Sequence, residues 1–331
     1  MHRPLAPLVW DAHSCLPLKR GVDITALDRH RAAGIDYVSI NIAMDFNPWP
    51  DTLRLLAYYR ARLTEHPDRY RLVGTVEEVR RAKADGVLAV TFDIEGAVVL
   101  DEDLDLLALY ADLGVRQIHF AYNRNNAIGG GCHDAEEGRD CGLTPFGQQV
   151  LAAVNRLGLL MDCSHTGLRT SLDIMAASTR PVVFSHANPR AIVDHPRNIT
   201  DEQIRACAAT GGVVGINGVG VFLGDPQVGT AAMARAVEYV GDLVGRDHVG
   251  FGLDFNWLPE VDDAPQGLVR EDWWPAKYGY ASFADMSFAR PEQISELAEA
   301  LAARGWSDAE LAGVMGGNFL RAAEATWPKG R

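Results

Sequence analysis

The stretch VLAVTFDIEG, residues 87–96, decides how the chain folds. Its apolar and β-branched run, Val87 to Ile94, has the length and composition of a buried strand, and it stops on Glu95 and Gly96, so an acid stands where the strand ends. Working outward, the same cadence recurs at 8–12 (LVWDA), 36–42 (DYVSINI), 116–121 (RQIHFA), 159–163 (LLMDC), 181–185 (PVVFS), 212–217 (GVVGIN) and 248–253 (HVGFGL). Longer segments with apolar residues three and four apart lie between them, as in Leu104, Leu106, Leu107 and Tyr110, or Val150, Ala153, Val154 and Leu157. Helix starts are marked by turn chemistry at Thr144-Pro145 and Thr200-Asp201. Alternating strands and helices predict a parallel sheet, and eight strands predict an α/β fold of the (β/α)₈ TIM-barrel type.

The 331 residues, 47% of them hydrophobic, suffice for one large core, and no repeat or linker divides them, so residues 1–331 are read as a single barrel domain. The longest irregular stretches, near 122–142 and 255–290, are expected to form the rim of an active site. A net charge of −13 argues against nucleic acid or an anionic membrane as a partner and favours a small-molecule substrate. No apolar window reaches signal-peptide or membrane-span length, which predicts a cytoplasmic protein. Cys15, Cys132, Cys141, Cys163 and Cys207 are odd in number without paired spacing, so free thiols are expected.

Five strands end in a residue able to bind metal or move a proton: His13, Glu95, His165, His186 and Asp254. In a parallel barrel those ends converge on one face, where imidazole and carboxylate suit Zn²⁺. Each has a plainer reading alone, a histidine bonded to backbone or Glu95 capping a helix. Only the joint pattern argues for a metal centre. His13 and Cys15, two apart on an extended segment, point the same way and can share an ion, although Cys15 can equally pack beneath the site. His2, His30 and His66 read as terminal or surface residues, and His119 as a mid-strand residue facing helix or core. His133, in a loop, can reach the pocket, but nothing in its spacing requires it.

These motifs, from WDAHSCLP at 10–17 through Asp93-Ile94-Glu95-Gly96, Met161-Asp162-Cys163-Ser164-His165, Val183-Phe184-Ser185-His186 and Gly252-Leu253-Asp254 to ARGWSDAELAGVMGGNFLR at 303–321, resemble the membrane (renal) dipeptidase family, peptidase family M19. The resemblance implies a homodimer with one or two Zn²⁺ ions, His13 and Glu95 on one, His165 and His186 on the other, and Glu95 bridging. It implies Asp254 as the proton carrier, Arg197 as the group that binds the substrate carboxylate, and Tyr122 and Asn125, in the segment after the fourth strand, as further substrate contacts. Cys15 stands where the family has an aspartate ligand, and Tyr122 where it has a histidine that contacts the oxyanion. The expected reaction is hydrolysis of a dipeptide or similar small amide with a free carboxylate. Two alternatives stay open: a different substrate, such as a methylated ammonium compound enclosed by the aromatic segment 273–280, and an inert metal- or ligand-binding homologue.

Overall fold

The computed structural model describes residues 7–280 and 282–329, and His2 lies outside them. Ten strands are present among the described residues: β1 Trp10–Cys15, β2 Tyr37–Met44, β3 Tyr70–Leu72, β4 Leu88–Glu95, β5 Val115–His119, β6 Leu160–Asp162, β7 Val182–Val183, β8 Val214–Asn217, β9 Val249–Gly252 and β10 Phe255–Asn256. All pair in parallel, in the order β10-β1-β2-β4-β5-β6-β7, with β8 on β9 and β3 on the lower half of β4. A bridge from Phe184 to Val214 joins β7 to β8, and the Asp254 amide donates to the His13 carbonyl (2.9 Å), which carries β9 back to β1 and closes the (β/α)₈ barrel.

All eight expected strands are present, each shorter than or shifted from its apolar run; β3 and β10, of three and two residues, give no periodic signal. The expected caps form as well, with Thr144 accepting from the Gly147 amide and Thr200 from that of Gln203. The helix Pro145–Leu157 buries Val150, Leu151, Ala153 and Val154 and ends on Gly158, whose φ of 72° suits glycine. Trp10 stacks on Tyr37 at 3.5 Å and packs with Trp327, while Phe319 of the last helix fills the same cluster, so aromatic rings plug the bottom of the barrel.

The two irregular stretches are not wholly irregular. Cys132–Glu136 forms one helical turn, and the second stretch holds β10 and short helices at Arg270–Trp273, Ala276–Tyr278 and Phe283–Asp285. All five cysteines are free, as expected. No helix is long and apolar enough to cross a membrane among the described residues.

Candidate active site

Inside the barrel, alternation along each strand stacks polar side chains in two layers. Asp11, Ser39, Asp93 and Gln117 lie below; two residues further along the same strands, His13, Asn41, Glu95 and His119 lie above, all of them buried. The register places Glu95 opposite His119 and Asp93 opposite Gln117. This corrects the reading of His119, which ends β5 instead of lying within it and so points into the site. His30 is corrected too: it is fully buried, and its Nε2 lies 2.8 Å from Asp11 Oδ2.

Four imidazoles converge on one carboxylate oxygen. From Glu95 Oε1 the distances are 3.0 Å to His165 Nε2, 3.2 Å to His186 Nε2, 3.5 Å to His13 Nε2 and 3.8 Å to His119 Nδ1. His165 Nε2 and His186 Nε2 are themselves 3.0 Å apart. Donors around a tetrahedral Zn²⁺ with ~2.0 Å bonds are about 3.3 Å from one another. The triangle of Glu95, His165 and His186 therefore has the size of one face of such a shell, and its three donors fit a metal ion.

The outer nitrogens of His13, His165 and His186 each have a hydrogen-bond partner, and that of His119 has a carboxylate beside it. His13 Nδ1 lies 3.1 Å from Asp93 Oδ1, whose other oxygen accepts from Ser39 Oγ at 2.6 Å. His165 Nδ1 meets Asn123 Oδ1 at 2.7 Å, and His186 Nδ1 meets Ser185 Oγ at 2.6 Å. His119 Nε2 is 2.7 Å from Asp162 Oδ2. An outer partner of this kind fixes the ring and leaves the inner nitrogen's lone pair for a metal. Burial, with Arg197 and His13 nearby, holds His165 and His186 well below the ordinary histidine pKa, so both are neutral donors. Burial pushes Glu95 up to about 7, against the pull of His13 and His119. Without a cation beside it this carboxylate is poorly stabilised.

Close packing brings the strands together here. A Cβ on Gly215 or Gly252 would lie 1.9 or 2.2 Å from the Ser185 carbonyl, so only glycine lets β8 and β9 approach the strand end that carries His186. Asn123, His165 and Asp254 all have positive φ (62°, 65° and 52°), a conformation that L residues adopt at a cost and that gathers at functional sites.

Asp254 faces this cluster. Its Oδ1 is 3.7 Å from His13 Nε2, and its Oδ2 accepts from Asn217 Nδ2 at 3.0 Å. Cys15 Sγ lies 3.5 Å from His13 Nε2 and 3.8 Å from Asp254 Oδ1, so His13, Cys15 and Asp254 form a second group of donors. The Tyr122 ring packs on His165 with centroids 4.4 Å apart, and its hydroxyl accepts from Trp274 Nε1 at 2.8 Å, which leaves the phenolic proton to donate. Arg197 is 2% exposed; one of its nitrogens donates to the His186 carbonyl at 2.7 Å and its Nε has no partner. Among the described residues its side-chain hydrogen bond is to that carbonyl and not to a carboxylate.

Asn125 is placed otherwise than its assignment as a substrate contact requires. Its side chain accepts from the Gly131 amide (3.1 Å) and donates to the Arg139 carbonyl (2.7 Å), and it does not line the cavity; the asparagine at the metal cluster is Asn123. The cavity above the cluster is lined by Cys15, Glu95, Tyr122, His165 and Asp254 with Phe46, Phe222, Trp274 and Tyr280. Phe46 meets Trp273 and Trp274 edge-on, at 70° and 72°, and Arg270 lies 4.9 Å over the Trp274 ring. The aromatic segment thus packs as a lid, with the exposed Arg270 against the Trp274 ring. His133, left open by its spacing, bonds Tyr280 of this lid at 3.0 Å rather than joining the metal cluster.

Known proteins resemble this chain in sequence and in fold. The sequence pattern of the family described as membrane dipeptidase (peptidase family M19) matches residues 23–270. An uncharacterized dipeptidase of Schizosaccharomyces pombe is 28% identical over 282 residues, 84% of this chain and 67% of its own length. Among solved structures, an amidohydrolase from Pseudomonas aeruginosa superposes with a TM-score of 0.84 at 26% identity, covering 98% of this chain and 97% of its own. A metallopeptidase from Rhodobacter sphaeroides, solved with a phosphinate mimic of the dipeptide L-Ala-D-Ala, shares the fold with a TM-score of 0.76 at 22% identity, over 97% and 100% of the two chains.

Proposed function

The chain belongs to the membrane dipeptidase family, peptidase family M19, and is a metal-dependent hydrolase of that family; on this premise we propose that it uses Zn²⁺ to cleave a dipeptide or similar small amide bearing a free carboxylate. The convergence of His13, His165 and His186 on Glu95 Oε1 beside Asp254 carries the proposal. Glu95, His165 and His186 would hold one ion, and His13 with Glu95 the other, Cys15 being the remaining candidate donor on that side. Zn²⁺ at such a site supplies Lewis acidity, which lowers the pKa of water and polarises an amide carbonyl.

The protein's own groups do the rest. Asp254, aimed by Asn217, takes the proton of the attacking water and hands it to the leaving nitrogen. The Tyr122 hydroxyl, oriented by Trp274, donates to the carbonyl oxygen as negative charge gathers there. Arg197, buried without an acid partner among the described residues, lines the neighbouring cavity that shares His165 with the main one, and from there binds the substrate carboxylate and fixes which amide lies over the cluster. Phe46, Trp274 and Tyr280 cover the cavity and keep bulk water from the reaction.

The test is a screen of zinc-loaded protein against L,L- and L,D-dipeptides and N-acyl amino acids. Release of free amino acid by the wild type, together with its loss in Asp254→Asn at unchanged zinc content, is the expected result. Substantial turnover by Asp254→Asn would overturn the role of Asp254.

A further inference from the structure

The two halves of the metal cluster differ in how their donors are prepared, and the difference turns on His119. Its ring is fully buried, and among the described residues Nδ1 has no hydrogen-bond partner although it faces Glu95 Oε1 at 3.8 Å. Nε2 lies 2.7 Å from Asp162 Oδ2 but off the direction of a good hydrogen bond. A buried ring with an idle inner nitrogen is unusual, because buried polar atoms find partners. Asp162 is itself fixed: Gln117 Nε2 donates to Oδ2 at 2.9 Å, and the Ser164 and Ser185 amides donate to Oδ1 at 2.9 and 3.1 Å. A carboxylate outside, an imidazole, and a free nitrogen inside repeat the arrangement at His13, where Asp93 is the outer group. His13, His119 and His186 also present donor atoms within 4.8 Å of one another.

Cys15 is prepared differently. It is partly exposed on the cavity wall, and among the described residues its Sγ contacts only His13 and Asp254, with no outer residue to orient it. Its Sγ contacts Asp254 Oδ1, so a thiolate ligand there would set a second negative charge against the group that must carry the proton.

We propose that His119 is a metal ligand of this chain and takes, beside His13 and Glu95, the place that Cys15 would otherwise fill. Asp162 is its positioning residue. The proposal rests on the reading of the cluster as a metal centre, and the following measurements separate the two.

Zinc content and affinity are measured by elemental analysis after equilibrium dialysis of wild type, His119→Gln, Asp162→Asn and Cys15→Ser, each checked by circular dichroism for folding. Cobalt-substituted wild type and Cys15→Ser are compared in the near ultraviolet, where a thiolate ligand gives a charge-transfer band. The expected result is a loss of one ion per chain or at least a tenfold weaker affinity in His119→Gln, about 10- to 100-fold weaker binding in Asp162→Asn, and unchanged binding in Cys15→Ser with no thiolate band. Should His119→Gln be too unstable to purify, Asp162→Asn and the cobalt spectra still decide. Wild-type affinity and stoichiometry in both His119→Gln and Asp162→Asn, or a thiolate band that Cys15→Ser abolishes, would overturn the proposal while leaving the metal centre intact. A wild-type protein that binds no zinc or cobalt would overturn the metal-centre reading itself, and this inference with it.

Discussion

At the strand ends the imidazoles of His13, His165 and His186 are locked by Asp93, Asn123 and Ser185, all buried and all anchored in or beside the sheet, whereas the segment 270–280 above them is held by its own backbone and by loop residues. The Trp273 carbonyl takes Asn123 Nδ2 at 3.1 Å, the Asp272 carbonyl takes Arg124 at 2.7 Å, and the Tyr278 carbonyl takes His195 Nε2 at 2.8 Å. Lys277 pairs with Glu137 at the surface, where solvent reaches both. The floor owes its geometry to sheet register, which cannot change without unfolding the barrel. The lid owes its geometry to a few bonds that can break singly. The proposed chemistry thus sits in the layer held by sheet register, and the cover of the cavity sits in the layer held by a few bonds.

If that division is right, damage to the floor should remove activity and damage to the lid should only tune it. His165→Ala takes a corner from the metal triangle, and the expected outcome is lost zinc by elemental analysis and no measurable hydrolysis. Retained zinc with full turnover would break the comparison at its strongest point. Asp254→Asn should lower kcat by about 10²–10⁴-fold with metal content unchanged, as for loss of a general base and acid. Arg197→Met removes no donor atom from the metal cluster, although it frees the His186 carbonyl, and should raise KM for carboxylate-bearing substrates by about 10- to 100-fold, with little change for amidated ones, because a charged hydrogen bond of about 1.5–3 kcal/mol is lost. Equal losses for both substrate types would remove Arg197 from carboxylate recognition.

Acid should loosen the lid as well. Burial lowers His133 to about 3 and His195 to about 4, whereas an unfolded histidine titrates near 6.5. The folded state then binds fewer protons than the unfolded one between these values. The stabilisation is complete above pH 6.5 and is lost as pH falls toward 4, at about 1.4 kcal/mol per pH unit for each histidine. His195 Nδ1 accepts from the Arg197 amide at 3.0 Å, so Nε2 carries the proton given to Tyr278, and a charged ring would lose that acceptor. Thermal unfolding followed from pH 7.5 to 4 should show the slope, and His133→Gln should flatten it; an unchanged slope would place the acid sensitivity elsewhere. The smallest effect is expected from Trp274→Phe, which keeps the packing against Phe46 but removes the bond to the Tyr122 hydroxyl, for a loss in kcat corresponding to about 1 kcal/mol. A loss as large as that of Asp254→Asn would erase the distinction between floor and lid.

Much of this was legible before any coordinates. Apolar runs of strand length, each closed by His13, Glu95, His165, His186 or Asp254, carry both the barrel and the strand-end donors, because a parallel barrel has a single face on which its C-terminal ends meet. His119 was misread for want of a strand end: one or two residues separate a mid-strand position from the last one, and that difference decides whether a side chain faces the cluster. Asn125 and Asn123 differ by two residues in a loop, where no periodicity tells which of them turns inward.

Composition and local pattern determined the elements, their alternation and the donors at their ends, since these depend on residues near one another in the chain. Only the tertiary structure decided which nitrogen of His13 and of His165 faces inward, because their outer partners lie far off in sequence: Asp93 is 80 residues from His13, and Asn123 is 42 from His165. It also decided that Asp11, buried beneath the cluster, gathers His30, Ser14 and the Leu253 amide. A short polar residue such as Asp11, inside an apolar run, gives no local sign of what it will meet. Its partners are set by strand register and barrel closure, which are properties of the whole sheet.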